Sequence, residues 1–200
     1  VFLSYMIIYA DSAVLYADEK IFNEDIKEYI SSLKIEIRPY MSFYSDLKVI
    51  KAENHVLIDS RNSNYLIKMS LPDKIKITDK QSPVILMKAV KNKTEYENER
   101  KAHIKDGIAV TKFMYWLQKN VGKMQITEVS AAKKLEALRN EQEGYLGPSF
   151  TPIMAYREHG AIVHYSATEE SDIALQPESF LLSDTGGHYY DGSTDITRTF

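Results

Sequence analysis

The chain has no cysteine, no long apolar run and no strong excess of charge of either sign among its 200 residues. The absence of cysteine excludes disulfide bonds and thiolate metal ligands, and it is compatible with a cytoplasmic protein. The longest apolar stretch, residues 1–10, is too short to span a membrane and lacks the charged start and cleavage site of a signal peptide. With 25 Lys and Arg against 28 Asp and Glu, the net charge is −3. Because no basic field is present, we expect neither nucleic acid nor a membrane as a partner.

The apolar fraction of 44% is enough for a sizeable core, and its distribution predicts two domains. In residues 1–82, short β-prone segments alternate with segments whose apolar residues recur at helical spacing. The predicted strands are Val1–Tyr9, Ala13–Ala17, Ile35–Tyr40, His55–Ile58 and Lys74–Thr78, and the predicted helices are Phe22–Leu33, Ser42–Ile50 and Asn62–Met69. This order predicts an α/β layer domain, and the polar segment Asp79–Pro83 marks its boundary.

Residues 83–200 follow a different pattern. A capping box in Thr94–Glu97 predicts the start of a long helix that ends near Asn120. The buried stripe predicted for this helix consists of Ile104, Gly107, Ile108, Val110, Thr111, Met114, Tyr115 and Leu117. Thr127 caps a second predicted helix that runs to about Asn140. Short antiparallel strands are expected after it, which makes this region α+β.

Two carboxylates eleven residues apart, Asp184 and Asp195, flank a glycine-rich reversal. Because side chains alternate along a strand, the odd separation places both on one face of an antiparallel hairpin. A two-residue turn at Asp191–Gly192 would leave them about 13 Å out of register, at about 3.3 Å per residue. A longer reversal over Gly186–Gly192 would place them directly opposite, where two ionised carboxylates need a proton or a cation between them.

Aspartate is common beside glycine in turns, so a pair of turn carboxylates is the alternative interpretation. Asp195, however, lies past the turn in a strand-forming run, where aspartate is depleted. Thr197 and Arg198 could supply donors that orient ligand carboxylates. Oxygen ligands in a chain without cysteine favour Mn, Mg, Co or Zn, so the pair predicts a metal site.

His164 is a second candidate, in the apolar segment Gly160–Tyr165, for which we predict a strand. A hydrogen-bonded core histidine is the alternative interpretation. His159 and His188 are expected in turns or at the surface.

The segment Asp184–Thr199 has the form Asp-x-Gly-x-x-Tyr-x-Asp-Gly-Ser-Thr-Asp-x-Thr-Arg-Thr. It resembles the first metal-ligand motif of Xaa-Pro aminopeptidases, which are pita-bread metallopeptidases. Gly160–Tyr165 resembles the family's Gly-Ala-Ile-x-His-Tyr segment, and His164 precedes Asp184 by the family's usual twenty residues. Residues 1–5 resemble part of the middle domain, and residues 88–92 and 100–106 resemble the start of the catalytic domain. The resemblance implies a creatinase N-terminal-like α/β middle domain over residues 1–82. The first half of a pita-bread catalytic domain, truncated, would follow over residues 83–200.

The resemblance further implies a metallo-aminopeptidase that releases the N-terminal residue from peptides with proline in second position. Asp184 would bind one of two divalent metal ions, most commonly Mn²⁺ in this family, and Asp195 would bridge both. A hydroxide that bridges the two ions would attack the carbonyl before proline, and His164 would contact the substrate or stabilise the intermediate. The family's other ligands are one His and two Glu, and no His or Glu follows Asp195 in this chain. We therefore expect the 200-residue chain alone to be inactive. The resemblance also implies a homodimer when full length, and we expect a cytoplasmic location.

Two other functions remain open at this point. One is a prolidase-type Xaa-Pro dipeptidase on the same fold, and the other is a non-catalytic pita-bread binding protein. A creatinase-type enzyme uses a different ligand set, so the aspartate pair argues against it. One segment, Tyr156–His159, departs from the family's Gly- and Asn-containing turn. For the hairpin, the resemblance predicts a reversal longer than Asp191–Gly192, with Asp184 and Asp195 facing each other.

Overall fold

A computed structural model describes residues 2–51 and 53–200 of the chain. The chain divides into two compact units, Val1–Val90 and Lys91–Phe200. The units therefore divide eight residues beyond the boundary expected after residue 82, and that boundary stays a prediction. Val1, the first residue of the first predicted strand, lies outside the described residues.

The first unit is built from short strands that alternate with helices. Its strands are β1 (Tyr5–Ile8), β2 (Ala13–Tyr16), β3 (Ile35–Arg38), β4 (His55–Ile58) and β5 (Lys76–Asp79), and its helices are α1 (Glu24–Ser32), α2 (Ser42–Lys48), α3 (Tyr65–Ser70) and α4 (Pro83–Ala89). β1 pairs with β2 antiparallel, whereas β2 with β3 and β4 with β5 are parallel. Each parallel pair is connected through a helix, as parallel pairing requires a crossover, so the α/β prediction is confirmed.

Among the described residues, a core cluster of this unit contains seven buried residues contributed by strands, helices and loops. They are Val14, Tyr16, Phe43, Leu47, Ile58, Leu71 and Ile75. The Tyr16 hydroxyl donates to Asp46 Oδ2 over 2.6 Å, and Arg38 Nη1 reaches the same oxygen over 2.7 Å. These bonds lower the pKa of Asp46, the tyrosine bond being the larger cause.

Two helices, α5 (Lys93–Asn120) and α6 (Glu128–Asn140), begin the second unit. The capping box of α5 is formed by Asn92 and Glu95, two residues before the predicted one. The Asn92 side chain accepts from the Glu95 amide over 2.9 Å, and the Glu95 carboxylate accepts from the Asn92 amide over 2.8 Å. Thr127 caps α6 as predicted, and its hydroxyl oxygen accepts from the Ser130 amide.

The buried face of α5 differs from the predicted one. The buried residues are Ala102, Asp106, Ala109, Val110, Phe113 and Leu117, so the prediction is right only for Val110 and Leu117. Ile104 and Ile108 are 52% and 46% exposed. The prediction failed because a carboxylate, Asp106, occupies the centre of the buried face, where its charge is neutralised by an arginine of α6.

Short strands complete the second unit, as predicted. They are β6 (Tyr145–Pro148), β7 (Ile153–Tyr156), β8 (Leu181–Thr185), β9 (Gly187–Tyr189) and β10 (Ile196–Thr199). β8 lies between β7 and β10, antiparallel to both, and β9 pairs with β6. Buried residues of the sheet, including Met154, Tyr156 and Leu181, pack with those of α5 and α6 in one core. β8 thus has a helix-packed face and an opposite face.

Candidate metal centre

The pairing at the tip of the hairpin shows its register. His188 and Ser193 form an isolated antiparallel bridge. The Tyr189 amide donates to the Gly192 carbonyl over 2.8 Å, so residues 190 and 191 form the two-residue loop. The same register continues into β8 and β10, where Thr197 stands opposite Asp184.

This register places the two aspartates as diagonal neighbours. Extending the ladder by one residue pair beyond Thr185 and Ile196 sets Asp195 opposite Gly186, two residues from Asp184. Diagonal neighbours have Cα atoms about 7–8 Å apart, within reach of a shared ligand. The prediction of a reversal longer than Asp191–Gly192, with the aspartates facing each other, is therefore wrong, because the reversal is a two-residue loop at residues 190 and 191. The two aspartates are offset along the strands by half the distance that a two-residue turn at Asp191–Gly192 would give.

Both aspartates lie on the face of the hairpin that points away from the helices. Along β8, Ser183 and Thr185 are buried while Asp184 between them is half-buried. In the returning segment Thr194 is buried and Asp195 is exposed. The Thr197 hydroxyl donates to Asp184 Oδ1 over 2.8 Å, which orients that carboxylate and leaves it capacity for a cation.

The donor set fits a hard divalent cation, but only as part of a coordination shell. Carboxylate oxygens suit Mg²⁺, Mn²⁺ and Zn²⁺. Within residues 2–51 and 53–200, no group of three or more His, Cys, Asp or Glu side chains could hold a metal ion. Asp184 and Asp195 would therefore need ligands from elsewhere to enclose one.

The structure does not place His164 in a strand, so that part of the prediction is wrong. Residues Arg157–Ala161 form a 3₁₀ helix, and His164 lies in the turn that follows, exposed, with φ of 55°. Amides at Ile162 and Tyr165 donate to carbonyls three residues earlier. Because these local bonds satisfy the backbone, the apolar composition of the segment does not produce a strand.

A buried carboxylate beside this turn was not predicted. Glu128 is fully buried and accepts from the Tyr165 hydroxyl over 2.8 Å and from the Tyr156 amide over 2.7 Å. His159 Nδ1 lies 2.9 Å from the same carboxylate, and its ring stacks on Tyr165. Burial raises the pKa of Tyr165, and the bond to Glu128 adds to this rise. Glu128 lies in the first turn of α6, where a glutamate is usually exposed, so the sequence alone does not predict its burial.

A second buried polar network joins both helices to the hairpin. Arg139 Nε donates to Asp106 Oδ1 over 2.6 Å, and its Nη2 donates to Asp106 Oδ2 over 3.2 Å and to the Thr185 hydroxyl over 3.0 Å. The Thr194 hydroxyl donates to Asp106 Oδ2, and the Tyr189 hydroxyl lies 3.4 Å from Oδ1. Burial, and then the charge of Asp106, raise the pKa of Tyr189. The two helix residues of this network, Asp106 and Arg139, are 33 residues apart, so no local sequence pattern pairs them.

Comparisons with known proteins assign both parts of the chain to families. Residues 1–95 match the model of the creatinase/prolidase N-terminal domain, and residues 97–200 match that of metallopeptidase family M24. The chain belongs to metallopeptidase family M24, and the expected combination of a creatinase N-terminal-like domain with a pita-bread domain is confirmed.

Several similar proteins bear the name Xaa-Pro aminopeptidase. The chain is 36% identical over 210 residues to a probable Xaa-Pro aminopeptidase P of Sordaria macrospora, covering 100% of this chain and 34% of the relative. It is 33% identical to Xaa-Pro aminopeptidase 2 of Sus scrofa, covering 99% of this chain and 30% of that protein. The chain thus spans about one third of the length of these relatives (34% and 30%).

A solved structure with the same fold is an X-prolyl aminopeptidase from Caenorhabditis elegans, described as a cytosolic enzyme with a di-nuclear active site. The match has a TM-score of 0.89 and 27% sequence identity, and it covers 100% of this chain and 34% of that chain. In the described part of this chain, no helix has the length and apolar character needed to cross a membrane.

Proposed function

We propose that the full-length protein is a metal-dependent aminopeptidase that releases the N-terminal residue from peptides with proline in second position. The observation that carries this proposal is the diagonal placement of Asp184 and Asp195 on one face of a hairpin. Membership of family M24 and the likeness to Xaa-Pro aminopeptidases support the reaction class and the substrate class.

Each candidate residue has a proposed task. Asp184 would hold one of two divalent ions, with Mn²⁺ as the proposed metal, and Asp195 would contact both. The ions would lower the pKa of a water to make it a nucleophile and would stabilise negative charge on the attacked carbonyl. Thr197 holds the Asp184 carboxylate in one orientation through its 2.8 Å hydrogen bond. His164, exposed in its turn, is proposed to contact the substrate rather than the metal.

The test is to replace each aspartate by asparagine in the full-length protein and to measure Mn²⁺-dependent release of the first residue from an Xaa-Pro tripeptide. Asp184→Asn and Asp195→Asn should each abolish turnover, because the amide removes the negative charge that binds the cation. Asp191→Asn is the matched control, since it makes the same change in the same hairpin at the Lys105 ion pair. Full activity of Asp195→Asn would remove that residue from the mechanism.

The substrates also separate the remaining alternatives. An aminopeptidase cleaves Xaa-Pro tripeptides and longer peptides, whereas a prolidase-type enzyme would prefer the Xaa-Pro dipeptide. A non-catalytic binding protein would turn over neither, even with saturating metal. The 200-residue chain by itself is expected to release no product, since its two aspartates form only part of a shell. Turnover at enzyme-like rates would contradict this.

A cytoplasmic location and a homodimeric full-length protein are further proposals, supported respectively by the cytosolic C. elegans neighbour and by the family resemblance. Sedimentation equilibrium of the full-length protein tests the second, and a monomer at micromolar concentration would contradict it.

A further inference from the structure

We propose that the buried Asp106–Arg139 pair positions the two metal-binding aspartates relative to each other. The pair acts through Thr185, the residue after Asp184, and Thr194, the residue before Asp195. Asp106 and Arg139 are therefore positioning residues that contact neither metal nor substrate. This inference rests on the proposed function and adds a cause for the geometry of its metal site.

The first step of the argument is the connectivity of the network. The Arg139 guanidinium bonds the Thr185 hydroxyl over 3.0 Å, and the Asp106 carboxylate accepts from the Thr194 hydroxyl. Arg139 and Asp106 are themselves joined by two parallel hydrogen bonds. A single ion pair thus bonds both strands of the hairpin, since Arg139 bonds Thr185 in the first strand and Asp106 bonds Thr194 in the second.

The second step is the alternation of side chains. Because neighbouring residues of an extended chain point to opposite faces, a threonine held on the helix side directs the adjacent aspartate to the other side. Burial follows this alternation, with Thr185 and Thr194 1% and 2% exposed. Fixing the two threonines therefore fixes the backbone from which both aspartates project.

The third step concerns register. A slip of the hairpin by two residues would keep the faces but move one aspartate by about 6.6 Å along the strand, at about 3.3 Å per residue. Such a slip would break both threonine bonds. It would also break the bond from the Gly187 amide to the Thr194 hydroxyl oxygen, which is 2.9 Å long. The network therefore selects the register in which the carboxylates are diagonal neighbours.

The fourth step is that stability alone does not require this chemistry. Buried ion pairs can often be replaced by well-packed apolar residues without loss of stability. Asp106 is 0% and Arg139 2% exposed, beside the apolar core of the second unit. A directional, hydrogen-bonded pair at this place provides what an apolar pair cannot, namely one defined arrangement of the two strands.

The experiment is Mn²⁺ titration calorimetry on the metal-free, full-length protein, which reports affinity independently of turnover. Thr194→Val removes the hydroxyl and keeps the shape, and we expect it to weaken Mn²⁺ binding by about tenfold or more, as loss of a supporting contact around a metal site typically does. Thr194→Ser restores the hydroxyl and should return the affinity to within about twofold of the wild type.

A second variant and a matched control separate positioning from general destabilisation. Thr185→Val removes the bond to Arg139 but leaves every bond of Asp106 in place, so it should weaken Mn²⁺ binding even if Thr194→Val yields no folded protein. Tyr165→Phe is the control, because it also takes a hydroxyl from a buried carboxylate, Glu128, outside the network. It should lower thermal stability and leave the Mn²⁺ affinity unchanged.

The outcomes distinguish the inference from the function on which it rests. Wild-type affinity in folded Thr185→Val and Thr194→Val protein, with normal Mn²⁺ binding by the wild type, would overturn the positioning role alone. A wild-type protein that binds no Mn²⁺ and cleaves no Xaa-Pro peptide would overturn the proposed function and the positioning role with it. Weaker binding in both valine variants, with recovery in Thr194→Ser, supports the inference.

Discussion

Replacing Arg139 by methionine should lower the local stability of the second unit by about 3–5 kcal/mol, the usual cost of leaving one member of a buried ion pair without its partner. The change keeps much of the side-chain volume and removes only the guanidinium. Asp106 would lose two of its donors and stay buried, with hydroxyl groups as its remaining partners. Thr185 would lose its bond at the same time.

The size of this loss of stability follows from the burial of the Asp106–Arg139 pair. Lys112 and Glu141 form another ion pair, one residue lying in α5 and the other at the end of α6, with an N–O distance of 2.7 Å. Their side chains are 50% and 52% exposed, against 3% and 0% for Arg139 and Asp106. Exposed pairs contribute about 0–1 kcal/mol because water competes for both charges. Lys112→Met is therefore a control that removes one cation from the same pair of helices.

Native-state hydrogen exchange of the full-length protein, read from peptides in α5 and α6, measures the local free energy of opening. Arg139→Met should speed exchange by roughly two to four powers of ten, at about 1.4 kcal/mol for each factor of ten. Lys112→Met should change it by less than about one power of ten. The double replacement Asp106→Leu with Arg139→Met should recover much of the loss. Equal effects of the two methionine variants would refute the reasoning, because burial would then not govern the cost.

Four further substitutions test other features of the second unit by thermal unfolding. Gly186→Ala would push a methyl group against a backbone carbonyl of the returning strand and should cost more than about 1 kcal/mol. Gly107→Ala, whose new methyl would meet nothing within 4 Å apart from its chain neighbours and the nearby backbone of its own helix, should gain about 0.5–1 kcal/mol. Destabilisation by both would contradict this contrast. Tyr145→Phe removes a buried hydroxyl that has no hydrogen-bond partner among the described residues, and it should be neutral or stabilising by about 1 kcal/mol. A clear loss of stability would contradict this, because it would mean that the hydroxyl does form a hydrogen bond. The bond to Lys105 lowers the pKa of Asp191 below its ordinary value of 3.8. The stability that this ion pair contributes is therefore complete above pH 3.8 and is lost as the pH falls through the lowered pKa. Asp191→Asn should therefore melt below the wild type at neutral pH, with a difference that shrinks in acid, and a constant difference would argue against the ion pair.

Local sequence signals predicted much of the fold. Thr127 lies before a run of good helix formers, and the helix begins there because capping depends on residues three positions apart. The alternation of β-prone and helical segments before residue 82 predicted the α/β unit, because the spacing of apolar residues is also a local property of the sequence. The capping box of α5 was misplaced by two residues because Asn92 with Glu95 and Thr94 with Glu97 satisfy the same spacing rule.

Long-range pairing explains the errors. The buried face of α5 was misjudged because Asp106 is acceptable in the core only through its bonds with Arg139, 33 residues away. The segment around His164 has the composition of a strand, but a strand needs a partner, and the turn that the structure shows satisfies its own amides. Glu128 was overlooked because its burial depends on His159 and Tyr165.

For the candidate site, the sequence by itself determined that the two proposed metal ligands, Asp184 and Asp195, lie on one face of the hairpin. The odd spacing of Asp184 and Asp195 requires a common face for any regular hairpin, since side chains alternate with a period of two. Only the tertiary structure decided their register. Turns at different positions keep the parity and change the offset, and the offset seen here is the one in which Thr185 and Thr194 both reach the buried ion pair. Alternation is a property of the chain, whereas register depends on contacts between segments far apart in sequence.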